Sequence, residues 1–174
     1  KTIKERKCFL CAANLPAVQK GIPFKEHYNI LVNPFPIFPR HLTIPEQAHV
    51  DQRIASRMED MLDLAQALTD YVIFYNGPKC GASAPDHAHF QAGNKGFLPV
   101  EKDWRNQIAG KVVEVEEATL WYLKDAPRAT LVIESSSKEK AAHLFDAIYR
   151  SLTVKPGEEE PMMNVLAMYE EGKW

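Results

Sequence analysis

A chain of 174 residues, 45% hydrophobic and 25% charged, can bury a real apolar core as one ordinary globular unit, and this composition excludes a disordered segment. Its formal net charge of -2 supplies no field that would gather nucleic acid or an anionic membrane, so a phosphate-bearing ligand has to be held by local cations and backbone donors. Three cysteines, Cys8 and Cys11 as C-x-x-C and Cys80 alone, make no disulfide framework, and no apolar run approaches a membrane span; a reducing, cytoplasmic setting is expected.

Residues 1–20 form a basic, cysteine-bearing lead-in read as loop. His27–Asn33 and Arg40–Ile44 read as strands, and Pro34, Pro36 and Pro39 confine the segment between them to a turn or a sheet edge. From Asp51 to Asp70 the period changes, with Ile54, Met58, Met61, Leu62, Ala65 and Leu68 at helical spacing; this predicts a long amphipathic helix capped near Asp51, its methionines serving as core. Tyr71–Tyr75 (YVIFY) is a buried strand that feeds a loop opening at Asn76. Residues 85–93 form the next strand, and 94–110 are irregular, with Trp104 and Arg105 folding over the site. Lys111–Leu123 and Ala129–Glu134 are further strands joined by an Asp125–Pro127 turn. Ser135–Ser137 caps a helix running to Leu152, 155–161 is a solvated linker, and Met163–Tyr169 is a last strand. The pattern predicts an α+β fold, an antiparallel sheet backed by helices. The order strands, helix, strand recurs after residue 110, so 1–110 is expected to be a catalytic half and 111–174 the start of a second related half.

The chemistry concentrates in 75–93, YNGPKCGASAPDHAHFQAG. Alternation puts His87, His89 and Gln91 on one face of a strand and Ala88, Phe90 and Ala92 on the other. The preceding loop holds glycines that let backbone N–H groups approach a ligand closely, which suits a phosphate ester under nucleophilic attack. Arg40, Lys79, Lys95 and Arg105 are the candidate cations. The other histidines, His27, His49 and His143, have no companions in the sequence and read as ordinary surface or core residues.

With Asn76, Gly77, Gly81-Ala82-Ser83 and His87-Ala88-His89-Phe90-Gln91 in this order, the stretch resembles one branch of the histidine-triad superfamily. That branch contains the galactose-1-phosphate uridylyltransferases, the diadenosine-tetraphosphate phosphorylases and, around HAHFQ, the plant GDP-galactose phosphorylases. The likeness covers residues 25–100 by motif and the rest only by order of elements; Ala84-Pro85-Asp86 makes the Ser83 to His87 spacing one residue longer than in the uridylyltransferases. It implies a HIT-like antiparallel sheet with packed helices. It also implies a nucleotidyltransferase or phosphorylase that moves a nucleoside monophosphate from a dinucleoside polyphosphate or nucleotide-sugar through a covalent nucleotidyl-histidine. His89 would be the nucleophile and Gln91 a donor to a phosphoryl oxygen, with Asn76, Gly77, Gly81, Ser83, His87, Arg40 and Lys79 around the substrate. A structural zinc on Cys8, Cys11, His41 and His87 is implied as well; from the residues alone, the C-x-x-C could equally be a redox pair and His41 could face the nucleotide. The implied partners are a nucleotide or nucleotide-sugar, phosphate and a second copy of the chain, with neither nucleic acid nor membrane. A hydrolase of the same fold, which carries a third histidine where Gln91 stands, and a non-catalytic nucleotide-binding module are the alternatives.

Overall fold

The computed structural model describes residues 2–124 and 128–174, so the turn expected at Asp125–Pro127 lies outside the described residues. Strands β1 (Gly21–Phe24), β2 (Tyr28–Val32), β3 (His41–Pro45), β4 (Tyr71–Asn76), β5 (His89–Asn94) and β9 (Asn164–Ala167) form one sheet in the order β1-β2-β3-β5-β4-β9. Strands β6 (Ile108–Val115), β7 (Ala118–Leu123) and β8 (Thr130–Ser135) form a second. Every pairing is antiparallel. Among the described residues three α-helices complete the fold: α1 (Met58–Ala67), the short α2 (Val100–Asp103) and α3 (Lys138–Ser151).

One face of the large sheet is core. Ile44, Ile73, Tyr75, Phe90, Ala92 and Ala167 pack there against Met61, Leu64 and Ala65 of α1 and Ala141 and Phe145 of α3. Side chains of this size contribute about 1.5–3 kcal/mol each when fully buried, so this face fixes the register of β5. A one-residue slip would carry His89 and Gln91 into the core. Ser137 caps α3 as expected, its side chain accepting from the Lys140 N–H.

The structure redraws several boundaries. The helix expected from Asp51 begins only at Met58. Residues before it are tied to other segments, with the Gln52 N–H donating to the Pro85 carbonyl (3.1 Å) and the Ile54 N–H to Glu160 (3.0 Å), and Ser56 takes a left-handed conformation (φ 61°) that interrupts any helix. Lys111–Leu123 is a hairpin rather than one strand, because Glu117 turns the chain at φ 66° between β6 and β7. A strand β1, unforeseen, pairs with β2, and 94–110 contains α2 and a 3₁₀ turn over Trp104–Gln107. Nor is 155–161 simply solvated: Glu160 is buried and accepts hydrogen bonds from the hydroxyls of Tyr75 and Tyr149. In the lead-in, Cys8 and Leu10 are buried against Ala84, and Arg6 pairs with Asp86 at 2.9 Å. The last strand is shorter than expected, Asn164–Ala167, and it joins the large sheet beside β4. No helix among the described residues is long and apolar enough to cross a membrane.

Candidate functional site

The second face of the large sheet carries a row of polar side chains. Register dictates the row: Thr43 of β3 stands opposite Gln91 of β5, and Gln91 opposite Phe74 of β4. Two residues on, on the same face, come His89 in β5 and Asn76 in β4, and Asn76 pairs with Asn164 of β9. His41 also lies on this face, opposite Gly93, with its Nε2 2.8 Å from Gln91 Oε1. The loop of 34–39 folds over this end of the row. Phe38 rests on Gly93, where a Cβ would lie 2.3 Å from the ring, and neighbours His41, Phe74 and Phe97 at centroid distances of 5.4, 5.5 and 4.8 Å.

His89 is buried, and its Nδ1 lies 2.8 Å from the His87 carbonyl. A carbonyl only accepts, so Nδ1 carries the proton and Nε2 keeps its lone pair. Burial holds this imidazole below the ordinary histidine range, against the opposing pull of the His87 carbonyl. The result is a neutral imidazole with its free lone pair on Nε2. Its backbone is clamped by Gln52, a fully buried side chain that sequence reading missed. Gln52 Oε1 accepts the His89 N–H (2.8 Å), and Nε2 donates to the carbonyls of His89 and Asn76 (both 3.0 Å), bridging β4 and β5 where their ladder stops.

Beside this face, Cys8, Cys11, His49 and His87 gather with their ligand atoms within 4.8 Å of one another, a group that could hold a metal ion. Cys8 Sγ to His87 Nδ1 is 3.2 Å, Cys11 Sγ to His49 Nδ1 3.2 Å, Cys11 Sγ to His87 Nδ1 3.7 Å and His49 Nδ1 to His87 Nδ1 3.3 Å. Tetrahedral zinc bonded at about 2.0 Å to nitrogen and about 2.3 Å to sulfur has ligand-to-ligand edges of about 3.3–3.8 Å, so the donor set fits. His87 Nε2 donates to the Glu46 carbonyl at 2.7 Å, leaving Nδ1 for a metal, and burial keeps this ring below the usual histidine range.

The expected ligand His41 is therefore corrected to His49. Antiparallel register explains the exchange: His41 is paired at Gly93, toward the far end of β5, whereas β3 continues past Pro45 alongside the approach to β5. There the Glu46 N–H donates to the Ala88 carbonyl and the Ala88 N–H to Val50, which sets His49 beside His87. His87 correspondingly lies before β5 and turns to the cysteines, away from the row that holds His89 and Gln91. The sequence did carry a signal, since His49 sits in a loop after a strand that had to pair with the histidine strand.

The other expected residues spread out. Gly77 donates its N–H to the Met163 carbonyl (3.1 Å) just before β9; Gly81 is left-handed (φ 97°), and both Gly81 and Ser83 are exposed. Lys79 lines a cavity of about 150 Å³ with Arg53, Gly77 and Cys80. Arg40 lies over the Tyr71 ring at the Asn94 end of the sheet, Lys95 is held by Tyr169 and Glu170, and Arg105 pairs with Glu134 on the small sheet; these three do not gather at His89.

Antiparallel sheet, packed helices and histidine strand together make this a protein of the HIT-like α+β fold. Among solved structures it is similar to a DUF4931 family protein (BCE0241) from Bacillus cereus ATCC 10987, at 18% identity and a TM-score of 0.64, over 88% of this chain and 82% of that one. It is also similar to yeast Ap4A phosphorylase Apa2, at 19% identity and a TM-score of 0.52, over 83% of this chain; the match spans 56% of the phosphorylase. The family model described as "Domain of unknown function (DUF4922)" matches residues 1–94, more than half of the chain, and the chain belongs to that family. No curated protein matches.

Proposed function

We propose that this protein is a nucleotidyltransferase or phosphorylase that uses His89 as a covalent carrier of a nucleoside monophosphate. The observation that carries this reading is the hydrogen bond from His89 Nδ1 to the His87 carbonyl, which leaves Nε2 unprotonated on a face lined by amides. In the first step Nε2 attacks the α-phosphorus of a dinucleoside polyphosphate or nucleotide-sugar. A P–N bond forms, the P–O bond to the leaving phosphate breaks, and the leaving group takes the electron pair. In the second step a phosphate or sugar phosphate oxygen attacks the same phosphorus and the P–N bond breaks, restoring the neutral imidazole.

Gln91 favours transfer over hydrolysis in this reading, because an amide can donate to a phosphoryl oxygen but cannot shuttle a proton to activate water. Asn76 is the second donor, and the 77–83 loop with Lys79 takes the remaining phosphate charge. Zinc bound by Cys8, Cys11, His49 and His87 would supply a structural tie between the lead-in and the histidine strand. Intact mass after incubation with a panel of dinucleoside polyphosphates and nucleotide-sugars tests the reading. The expected result is a single nucleoside monophosphate adduct, absent in His89→Asn; an adduct that survives this substitution overturns it.

A further inference from the structure

We propose that His41 and Asn164 are positioning residues, which turn the amides of Gln91 and Asn76 so that both present NH₂ groups, not carbonyl oxygens, to the space over His89. The identity of the ligand rests on the functional reading above; the polarity of the two amides does not.

Each relay ends on a backbone group whose role is fixed. The Ile37 N–H, which can only donate, lies 3.1 Å from His41 Nδ1, so Nδ1 is an acceptor and the ring proton sits on Nε2. That Nε2–H points at Gln91, 2.8 Å away, so the atom facing it is Oε1, and Gln91 Nε2 is turned outward. On the other side of His89, Asn164 Nδ2 lies 2.8 Å from the Cys80 carbonyl, which can only accept. The same Nδ2 is 2.8 Å from Asn76, so the atom it meets is Oδ1, and Asn76 Nδ2 faces outward.

Neither outward NH₂ has a protein partner among the described residues. Gln91 follows His89 by two residues on the same face, and continuing the Phe74–Gln91 register places Asn76 opposite His89. Two donor amides thus flank the nucleophile. Such a pair suits the non-bridging oxygens of a phosphoryl group and disfavours a cation or a donor group at the same place. Were either amide reversed, its oxygen would meet an anionic oxygen. Asn164 belongs to β9, outside the 1–94 stretch that the family model matches, so the strand near the end of the chain takes part in shaping the site.

The experiment uses the ¹⁵N-labelled chain titrated with AMP and, separately, with inorganic phosphate. Long-range ¹⁵N–¹H spectra should find the His41 proton on Nε2, and the side-chain amide resonances of Asn76 and Gln91 should move as AMP binds. Asn164→Leu, uncharged and of similar size, and His41→Phe should each weaken AMP by about fivefold or more, the loss of one oriented hydrogen bond, with metal content unchanged. Each should also slow formation of the His89 adduct more than it raises KM. A His41 proton on Nδ1, AMP binding without response from either amide, variants that bind like wild type, or no response to either anion would each overturn the proposal. An AMP response with no covalent adduct would refute the transfer reading and leave the positioning roles standing.

Discussion

His87 and His89 are joined through one atom: the His87 carbonyl oxygen, which accepts the Nδ1–H of His89 at 2.8 Å while the His87 ring turns the other way to Cys8 at 3.2 Å. One residue therefore belongs to the cysteine cluster by its side chain and sets the tautomer of His89 by its main chain. Anything that frees the His87 ring loosens the carbonyl on which His89 depends.

Metal removal should accordingly act at a distance. Protein purified without chelator is expected to carry about one zinc per chain, as the four-ligand set requires. Cys8→Ser and His49→Ala should lose it, whereas His41→Ala should keep it, and metal analysis of the three separates the ligand sets. Stripping the zinc should lower Tm and slow the His89 adduct together. Zinc retained by His49→Ala and lost by His41→Ala would reverse the assignment.

At the proposed nucleophile, His89→Asn should abolish the adduct and nearly all turnover. Gln91→Ala should keep the adduct but slow its formation, by on the order of 3 kcal/mol in the barrier if the amide acts like other oxyanion donors. Rapid-quench mass measurement distinguishes the two. Equal loss of adduct in both variants would show Gln91 to be needed for folding or binding instead.

Much of the large sheet could be read in advance because its periodicity is local. HFQ alternates and YVIFY is continuous and apolar, and both lie in strands of the same sheet, while the expected strand start at 85 is delayed to His89. The expected common face of His87, His89 and Gln91 holds for His89 and Gln91 only; His87 turns to Cys8, and Asn76, which the resemblance named without placing it, takes its place in the row. What escaped was set by pairing between distant segments: His49 reaches His87 through the register beyond Pro45, and Gln52 is defined by three backbone groups on two strands. The expected 51–70 helix failed at its start for the same reason, since hydrogen bonding to Pro85 and Glu160 outweighs the helical spacing of Ile54.

Gln52 gives a prediction of its own. Replacing it by Met keeps the volume but leaves the His89 N–H and the carbonyls of His89 and Asn76 without partners, at about 1–3 kcal/mol for each group left buried and unsatisfied. Denaturant unfolding should register the loss. Adduct formation should fall more steeply than AMP affinity, because the clamp acts on the backbone of His89, the proposed nucleophile. Zinc content should stay near wild type; its disappearance would mean that Gln52 supports the fold generally rather than His89.

The last prediction concerns the helices behind the sheet. Asp63 of α1 accepts from Lys138 of α3 at 2.8 Å and from Lys25 of the β1–β2 turn, so one carboxylate ties three elements together. Burial pushes its carboxyl up, but the hydrogen bonds and charges of Lys138 and Lys25 outweigh that and hold it below the usual carboxylate range. A carboxyl depressed in the folded state contributes stability that is fully present above its unfolded pKa of about 3.9 and is lost as pH falls through the folded value. Asp63→Asn should therefore cost about 1 kcal/mol at neutral pH, the upper range for pairs that are only partly shielded from water. The deficit should shrink below pH of about 4 as the wild-type carboxyl takes up its proton. Urea melts of both proteins at neutral and acid pH check it, and a deficit that stays constant or grows toward acid would show that the pairs with Lys138 and Lys25 are not its source.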